Sequence, residues 1–474
     1  MTRAKTRLVG PLALLAGAAC LWAPSAAGQT CESQRPTDAE GAQGVSYGNA
    51  ETAFFDSDSG RARVHYALGG VHAPPALSTL QDGVPDAAVV AARAADDALD
   101  QYAQLGYEVP LGDADSPCPS NGDSDAIDIY LVNFSAADGQ ALHDHCESGA
   151  PKRCAGFVLV ENDFKRGGYA DTAEGMRTVV PHELFHLVQD AYDADVERWW
   201  AEGSAQWATK QVYPELRDLE RFLPDYFDAP WRPLNVPPNG PITNFLYATA
   251  IWPVFLSERF DAALVREVYA GFGPDTSSVL ATTDLVLQAR GSSLAQEFLE
   301  FAAFNAATAE RAPEQGGYAH AADYPLVPVQ ALEIRDSTAE LVSDVASGLG
   351  AYYYSITADA PLELSLDAEA TRMAALLLPL EQGKARLADA KPLPATLTGE
   401  GIVVVAGQSL ARTDAPFAVQ GKAPHAPREE APTSSGCAFA QIPGQNAGPG
   451  SAWLGIVVIF WGRCRARTRR RKGR

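Results

Sequence analysis

Positive charge is scarce in the body of this 474-residue chain. Residues 1–28 carry three basic and no acidic residues, and residues 437–474 carry eight basic and no acidic ones; the stretch between holds 26 basic against 59 acidic residues, a net charge of −33. A body this acidic excludes nucleic-acid binding through a basic face. It fits an acidic solvated surface first, and then solubility outside the cell, repulsion from anionic surfaces or calcium binding. Histidine is rare, with eight in all, so a metal-ligand spacing among them carries weight. Cysteine is rare as well: of seven, only Cys31, Cys118, Cys146 and Cys154 fall between the two basic ends. A hydrophobic content of 46% excludes bulk disorder, and the length leaves room for two or three domains.

The N-terminus reads as a secretory signal over residues 1–28. Arg3, Lys5 and Arg7 precede an apolar run from Leu8 to Trp22, and Ser25-Ala-Ala-Gly28 offers small residues for cleavage. Cys20 follows Gly-Ala-Ala, not a Leu-rich lipobox, so no N-terminal lipoprotein is expected. Export permits disulfides. Four cysteines allow three pairings; we favour Cys146–Cys154, which closes a short loop, with Cys31–Cys118 tying down the N-terminal arm, and the other pairings stay open.

Residues 29–44 are polar and read as a flexible arm. Short alternating runs from Val45 to Leu68 suggest strands. Asp82-Gly-Val-Pro-Asp86 resembles the calcium-binding turns of secreted bacterial proteins; its plainer reading is an N-cap, with Asp86 opening an Ala-rich helix that ends before Gly106. Residues 112–125 form an acidic loop whose Asp113, Asp115, Asn121, Asp123 and Asp125 are candidate Ca²⁺ ligands. Strands are expected over Ala126–Asn133 and Phe157–Glu161. Between them, His143-Asp-His145-Cys146 reads as exposed loop histidines beside a disulfide, with a second metal site as the alternative.

The chemistry concentrates in Thr178–Gln189, which contains His182-Glu183-x-x-His186. On a helix, residues four apart share one face, so both imidazoles reach one ion, and Glu183 follows the first ligand closely enough to address a water beside it. Thr178 is the expected N-cap, which places Pro181 in the first turn. A second helix follows over Arg198–Lys210. Its Glu202, with fifteen residues between it and His186, is the candidate third ligand, flanked by the small Gly203, Ser204 and Ala205. Glu197 is a rival without that context. Residues 214–243, aromatic and Pro-rich around Tyr226, Phe227 and Trp231, read as a lid or cleft wall. In the helical segment Asn244–Phe260, Tyr247 is placed for an oxyanion but is read as a packing residue.

HExxH followed by W-x-x-E-G-x-A (here Trp199 to Ala205) resembles the glutamate-zincin, or gluzincin, metallopeptidases, and the stretch 45–310 resembles secreted zinc metalloproteases frequent in myxobacteria. That resemblance implies an α+β fold: a zincin-like catalytic lobe over 45–324 with a mainly helical C-terminal part. It implies Zn²⁺ held by His182, His186 and Glu202, and peptide hydrolysis by a zinc-activated water with Glu183 as general base. The substrate would be a protein or peptide. The alternative is a catalytically inactive zincin-fold surface protein, acting as a binding or adhesion module. Intact Glu183 argues against it, since structural zinc sites are closed by four protein ligands.

Short β-type runs separated by Gly, Pro and Asp then suggest a small β-sandwich domain over 325–422. A Pro-, Glu- and Ser-rich linker spans 423–436. Residues 437–474 combine Cys437, an apolar run from Ala452 to Trp461 and an Arg cluster. They resemble the MYXO-CTERM sorting tail of myxobacterial surface proteins. This implies Cys437 as processing and lipid-attachment site, and a monomer held at the cell surface or outer membrane, or secreted. A plain transmembrane anchor is the other reading.

Overall fold

The computed structural model describes residues 31–423, except 115, 135–136, 167, 240–242, 275–277, 335–337 and 411–413. The expected signal, Cys437 and its tail, and all of the linker but its first residue lie outside the described residues. Among those described, no helix is long and apolar enough to cross a membrane.

The fold mixes α and β structure. A five-stranded sheet comes first, from β1 (Thr52–Asp56), β2 (Ala62–Ala67), β3 (Ile127–Val132), β4 (Gly139–Cys146) and β5 (Cys154–Glu161), in the order β1-β2-β3-β5-β4. β2, β3 and β5 run parallel, and β4 returns antiparallel to β5 as the edge strand. One face carries Val64, Ile129, Leu131, Val158 and Val160 against helices α1 (Asp86–Gln104) and α2 (Thr172–Asp190). The opposite face, with Tyr130, Val132, Phe157 and Leu159, buries Ala42 and Tyr47 of the N-terminal segment. This strict alternation is what a sheet covered on both sides requires.

Residues 31–44 are therefore not part of the flexible arm expected over 29–44. Tyr47 donates its hydroxyl to Leu131 O at 2.8 Å, and the Glu32 N–H donates to Asp144 O at 2.8 Å. Arg35 is fully buried. Its guanidinium meets Asp113 at 2.5 Å, Asp128 at 3.3 Å and Asp144 at 3.3 Å, and donates to Ser120 O at 2.7 Å. A buried guanidinium needs this many acceptors, because each unpaired N–H or carboxylate would be stranded away from water. Disulfides join Cys31 to Cys118 and Cys146 to Cys154, the pairing favoured above; the first ties the segment to the acidic loop.

A helical region follows: α3 (Arg198–Val212), α4 (Asp218–Phe227), α5 (Asn244–Ala248), α6 (Ile251–Arg259), α7 (Ala263–Ala270), α8 (Val279–Ala289) and α9 (Leu294–Ala306). Trp200, Trp207, Trp252, Phe255 and Phe301 fill its core. The remaining strands are β6 (Gln330–Ala331), β7 (Thr338–Ser347), β8 (Ala351–Ala368), β9 (Met373–Glu381), β10 (Lys384–Ala385), β11 (Lys391–Pro392), β12 (Ala395–Gly407) and β13 (Asp414–Lys422). They form one connected sheet, β10-β9-β12-β8-β13-β7, with β11 on β9 and β6 on β8, in place of the two separate sheets a sandwich implies. The long strands make the difference. β8 pairs with β12 from Ala351 to Leu364 and with β13 from Glu363 to Ala368. Ile402, Val404 and Ala406 face the helical core, while Val403 and Val405 face a second core with Ile356, Leu377 and Phe417.

Candidate metal centre

α2 starts earlier than the sequence reading places it. Asp171 is the N-cap, accepting from the Glu174 N–H at 2.8 Å. Thr178 is an interior residue whose hydroxyl donates to Glu174 O at 2.9 Å. Pro181 also lies inside the helix, where it withholds the donor that the Arg177 carbonyl would meet. Its own carbonyl accepts from the Tyr102 hydroxyl at 2.7 Å, so α1 grips α2 one residue before His182.

The i, i+4 spacing sets the His182 and His186 rings 4.9 Å apart on one face. Glu202 of α3 faces both: its Oε2 lies 3.3 Å from His182 Nε2 and 3.6 Å from His186 Nε2. The three donor atoms fall within 4.8 Å of one another. On its other side α3 packs against the α5–α6 junction through Gly203, where a Cβ would stand 2.5 Å from Thr249 Oγ1 and 3.1 Å from Ala250 N. A chain of hydrogen bonds aims His186. Its Nδ1 pairs with Gln189 Oε1 at 2.9 Å, and Gln189 Nε2 donates to Ala201 O at 2.9 Å and Ser204 Oγ at 3.2 Å. With Nδ1 engaged, Nε2 is the nitrogen turned to Glu202.

Burial works to raise the Glu202 pKa, but the hydrogen bonds to His182 and His186 outweigh it and hold the carboxyl below the usual carboxylate range. Burial works to lower His186, but the hydrogen bond and charge of Glu202 raise it to about 10. Glu183 is buried beside them. Burial pushes its pKa up against the charges of both histidines, and the Ala141 N–H donates to its carboxylate.

Sequence reasoning passed over the residues of β4 that touch Glu183. Gly139 opens that strand directly against the side chain, and no local pattern in the sequence marks it. Tyr247, set aside as packing, has its ring 5.6 Å from that of His182 and stacked on Phe222 at 4.8 Å. Its hydroxyl is held protonated by burial and by the charges of Glu202 and Glu183.

The other sequence candidates are accounted for elsewhere. Glu197 accepts from Trp199 Nε1 at 2.5 Å and from the Val279 N–H at 3.3 Å, apart from the histidine pair. His143 and His145 lie in strand β4, not in an exposed loop; His145 is buried and His143 Nε2 is 3.2 Å from Asp190. The sulfurs near His143 are spent in the Cys146–Cys154 disulfide. Asp113 serves Arg35, and among the described residues no three carboxylates of 112–125 draw together as a calcium site would require. Asp86 is the first residue of α1, with its carboxylate taking the Thr79 N–H and hydroxyl and the Leu80 N–H at 2.7–2.8 Å.

No protein-family model matches the chain, and no curated protein matches it. Among solved structures, it is similar to Legionella pneumophila aminopeptidase A in complex with aspartic acid, at 12% identity over 78% of this chain, with a TM-score of 0.36. The match spans 37% of that aminopeptidase. It is also similar to Aeromonas hydrophila PliG, a periplasmic inhibitor of g-type lysozyme, at 9% identity over 20% of this chain and 96% of that one, with a TM-score of 0.16. A PliG mutant from Escherichia coli gives 14% identity over 20% and 97%, also at 0.16. At TM-scores this low the matches fix neither fold nor chemistry.

Proposed function

We propose that the chain is a zinc-dependent metallopeptidase of the glutamate-zincin type, with 45–324 as its zincin-like lobe and 325–422 as an accompanying β-domain. The observation that carries this reading is the convergence of His182, His186 and Glu202, with Glu183 beside them. Two imidazoles and one carboxylate form the donor set of open catalytic zinc sites, which keep a further position for water or substrate. The residues fit such an ion: Gln189 leaves His186 Nε2 as the free donor, and Glu202 is held anionic. When bound, zinc supplies Lewis-acid polarisation of a peptide carbonyl and of water.

The chain's own residues do the rest. Glu183, steadied by the Ala141 N–H, takes the proton of the attacking water and returns it to the departing amine. The Tyr247 hydroxyl donates to the oxygen on which negative charge develops. β4 is an edge strand, so an extended peptide alongside it finds main-chain partners and presents its carbonyl towards Glu183. The export signal and the Cys437 tail belong to the same proposal, which places the enzyme outside the cytoplasm, secreted or held at the cell surface, acting as a monomer on proteins or peptides.

Metal analysis of the purified protein, with a casein digest run with and without chelator, tests the reading. About one zinc per chain is expected, with cleavage lost on chelation and restored by zinc. Stoichiometric zinc without cleavage of casein or mixed peptides would overturn it in favour of a binding module.

A further inference from the structure

Five tryptophans lie among the described residues. Trp199, Trp200, Trp207 and Trp252 are buried, but Trp231 is 48% exposed. It lines a groove of 490 Å³, within the range of about 300–1,000 Å³ usual for ligand clefts, together with Tyr352, Asp344 and Gln330. The residue was expected on a lid or cleft wall, and its backbone is locked to the second sheet. The Ala351 N–H donates to Pro230 O at 2.8 Å, and Gly350 approaches so closely that a Cβ would stand 2.4 Å from Trp231 O. The Tyr352 hydroxyl donates to Val345 O at 2.9 Å, and its ring packs on Phe417 at 5.4 Å. Asp344 accepts from the Val345 N–H at 2.8 Å through Oδ1 and, at 3.5 Å, from the Tyr354 hydroxyl through Oδ2.

We propose that this groove binds a neutral oligosaccharide through the Trp231 and Tyr352 rings, with Asp344 and Gln330 recognising its hydroxyls. A sugar ring has one face of C–H bonds, polarised by the neighbouring oxygens, which stacks on the electron-rich face of an indole. Its hydroxyls are both donors and acceptors, which matches a carboxylate that only accepts and an amide that does both. The Tyr352 ring, fixed by its own hydrogen bond and packing, and the held backbone beneath Trp231 limit the entropy lost on binding. Charge selects within the sugars. Among its described lining residues the groove has no Lys, Arg or His, and the body of the chain carries a net charge of −33, so an anionic glycan is repelled. The site is independent of His182, His186 and Glu202.

Because Trp231 is the exposed indole among those of the described residues, the fluorescence change that Trp231→Ala removes reports on the groove. Cellohexaose, chitohexaose and xylohexaose are titrated into the purified protein, with polygalacturonate and a synthetic peptide of residues 423–436 as comparisons. At least one neutral hexasaccharide should give a saturable blue shift and protect the indole from acrylamide. Isothermal titration should show Trp231→Ala losing that binding, and Asp344→Asn weakening it about tenfold, both with unchanged melting temperature. Glu183→Gln should bind as wild type, which separates this site from the hydrolytic one. Absence of a saturable response to all three hexasaccharides overturns the proposal, as does full binding by Trp231→Ala. A response to the proline-rich peptide alone reassigns the groove to a polypeptide.

Discussion

Gly139, the first residue of β4, lies directly against the Glu183 side chain: a Cβ there would stand 2.7 Å from both Cγ and Oε1 of Glu183 and 2.4 Å from Val179 Cγ1. The edge strand thus sets the position of the carboxylate that is proposed to move the proton. Gly139→Ala should displace Glu183 while leaving His182, His186 and Glu202 in place. A misplacement of about 1 Å costs about 100-fold in rate, so kcat should fall to that extent with zinc content unchanged. Wild-type kcat in this variant would show that the carboxylate position does not matter.

Removing the charge instead of shifting it is the sharper test of Glu183 itself. Glu183→Gln keeps the shape and loses the base. Hydrolysis should fall about 10³-fold or more, with zinc retained, as expected for a general base. Activity near that of the wild type would sink the assignment.

Glu202 and Glu197 are separated by what already holds them. Glu202 faces both imidazoles, whereas Glu197 is engaged by Trp199 and Val279. Glu202→Ala should lose zinc on dialysis. Glu197→Ala should keep zinc and instead lower stability by about 1–3 kcal/mol, as buried donors lose their acceptor. Metal analysis and thermal melts read the two outcomes; the reverse pattern would make Glu197 the ligand.

The histidine pair was legible because helix periodicity is local: four residues of spacing already set both rings on one face. Glu202 was legible through its small neighbours, and the short Cys146–Cys154 loop through proximity along the chain. Arg35 was not. Its partners Asp113, Asp128 and Asp144 are scattered far along the chain, so the segment read as loose and the loop as a cation site, when the cation is the segment's own guanidinium. The start of α2 was misplaced because proline preference drew the boundary to Thr178, while the cap that operates is Asp171. Alternation located β8, β9, β12 and β13 but passed over β7, and it does not say which strands pair, so the connected sheet they form was not legible.

Asp113 gives the fold a pH dependence. Burial pushes its pKa up to about 7, against the pull of Arg35 and with the push of Asp128 and Asp144, while His65 engages Asp128 at 2.7 Å. The folded chain therefore takes up this proton well above the ordinary carboxylate range, and the unfolded chain does not. The stability that Asp113 contributes rises as pH falls from about 7 to about 4 and is level outside that window. In denaturant titrations across this range, wild type should gain stability relative to Asp113→Asn as the pH drops. A constant difference between the two proteins would mean the buried carboxyl titrates normally.

The ring of Tyr247 lies 5.6 Å from that of His182 and is braced by Phe222, beside the centre at which it is proposed to serve a developing oxyanion. Burial and the neighbouring carboxylates hold the phenol protonated, so its hydroxyl keeps a proton to donate in the proposed reaction. A donor aimed at charge that appears only in the transition state affects kcat more than KM. Tyr247→Phe keeps the stacking ring and deletes that single hydroxyl. It should lower kcat about 100-fold, with KM, zinc content and melting temperature close to wild type. A fall in melting temperature with kcat preserved would return Tyr247 to the packing role that its sequence context suggested.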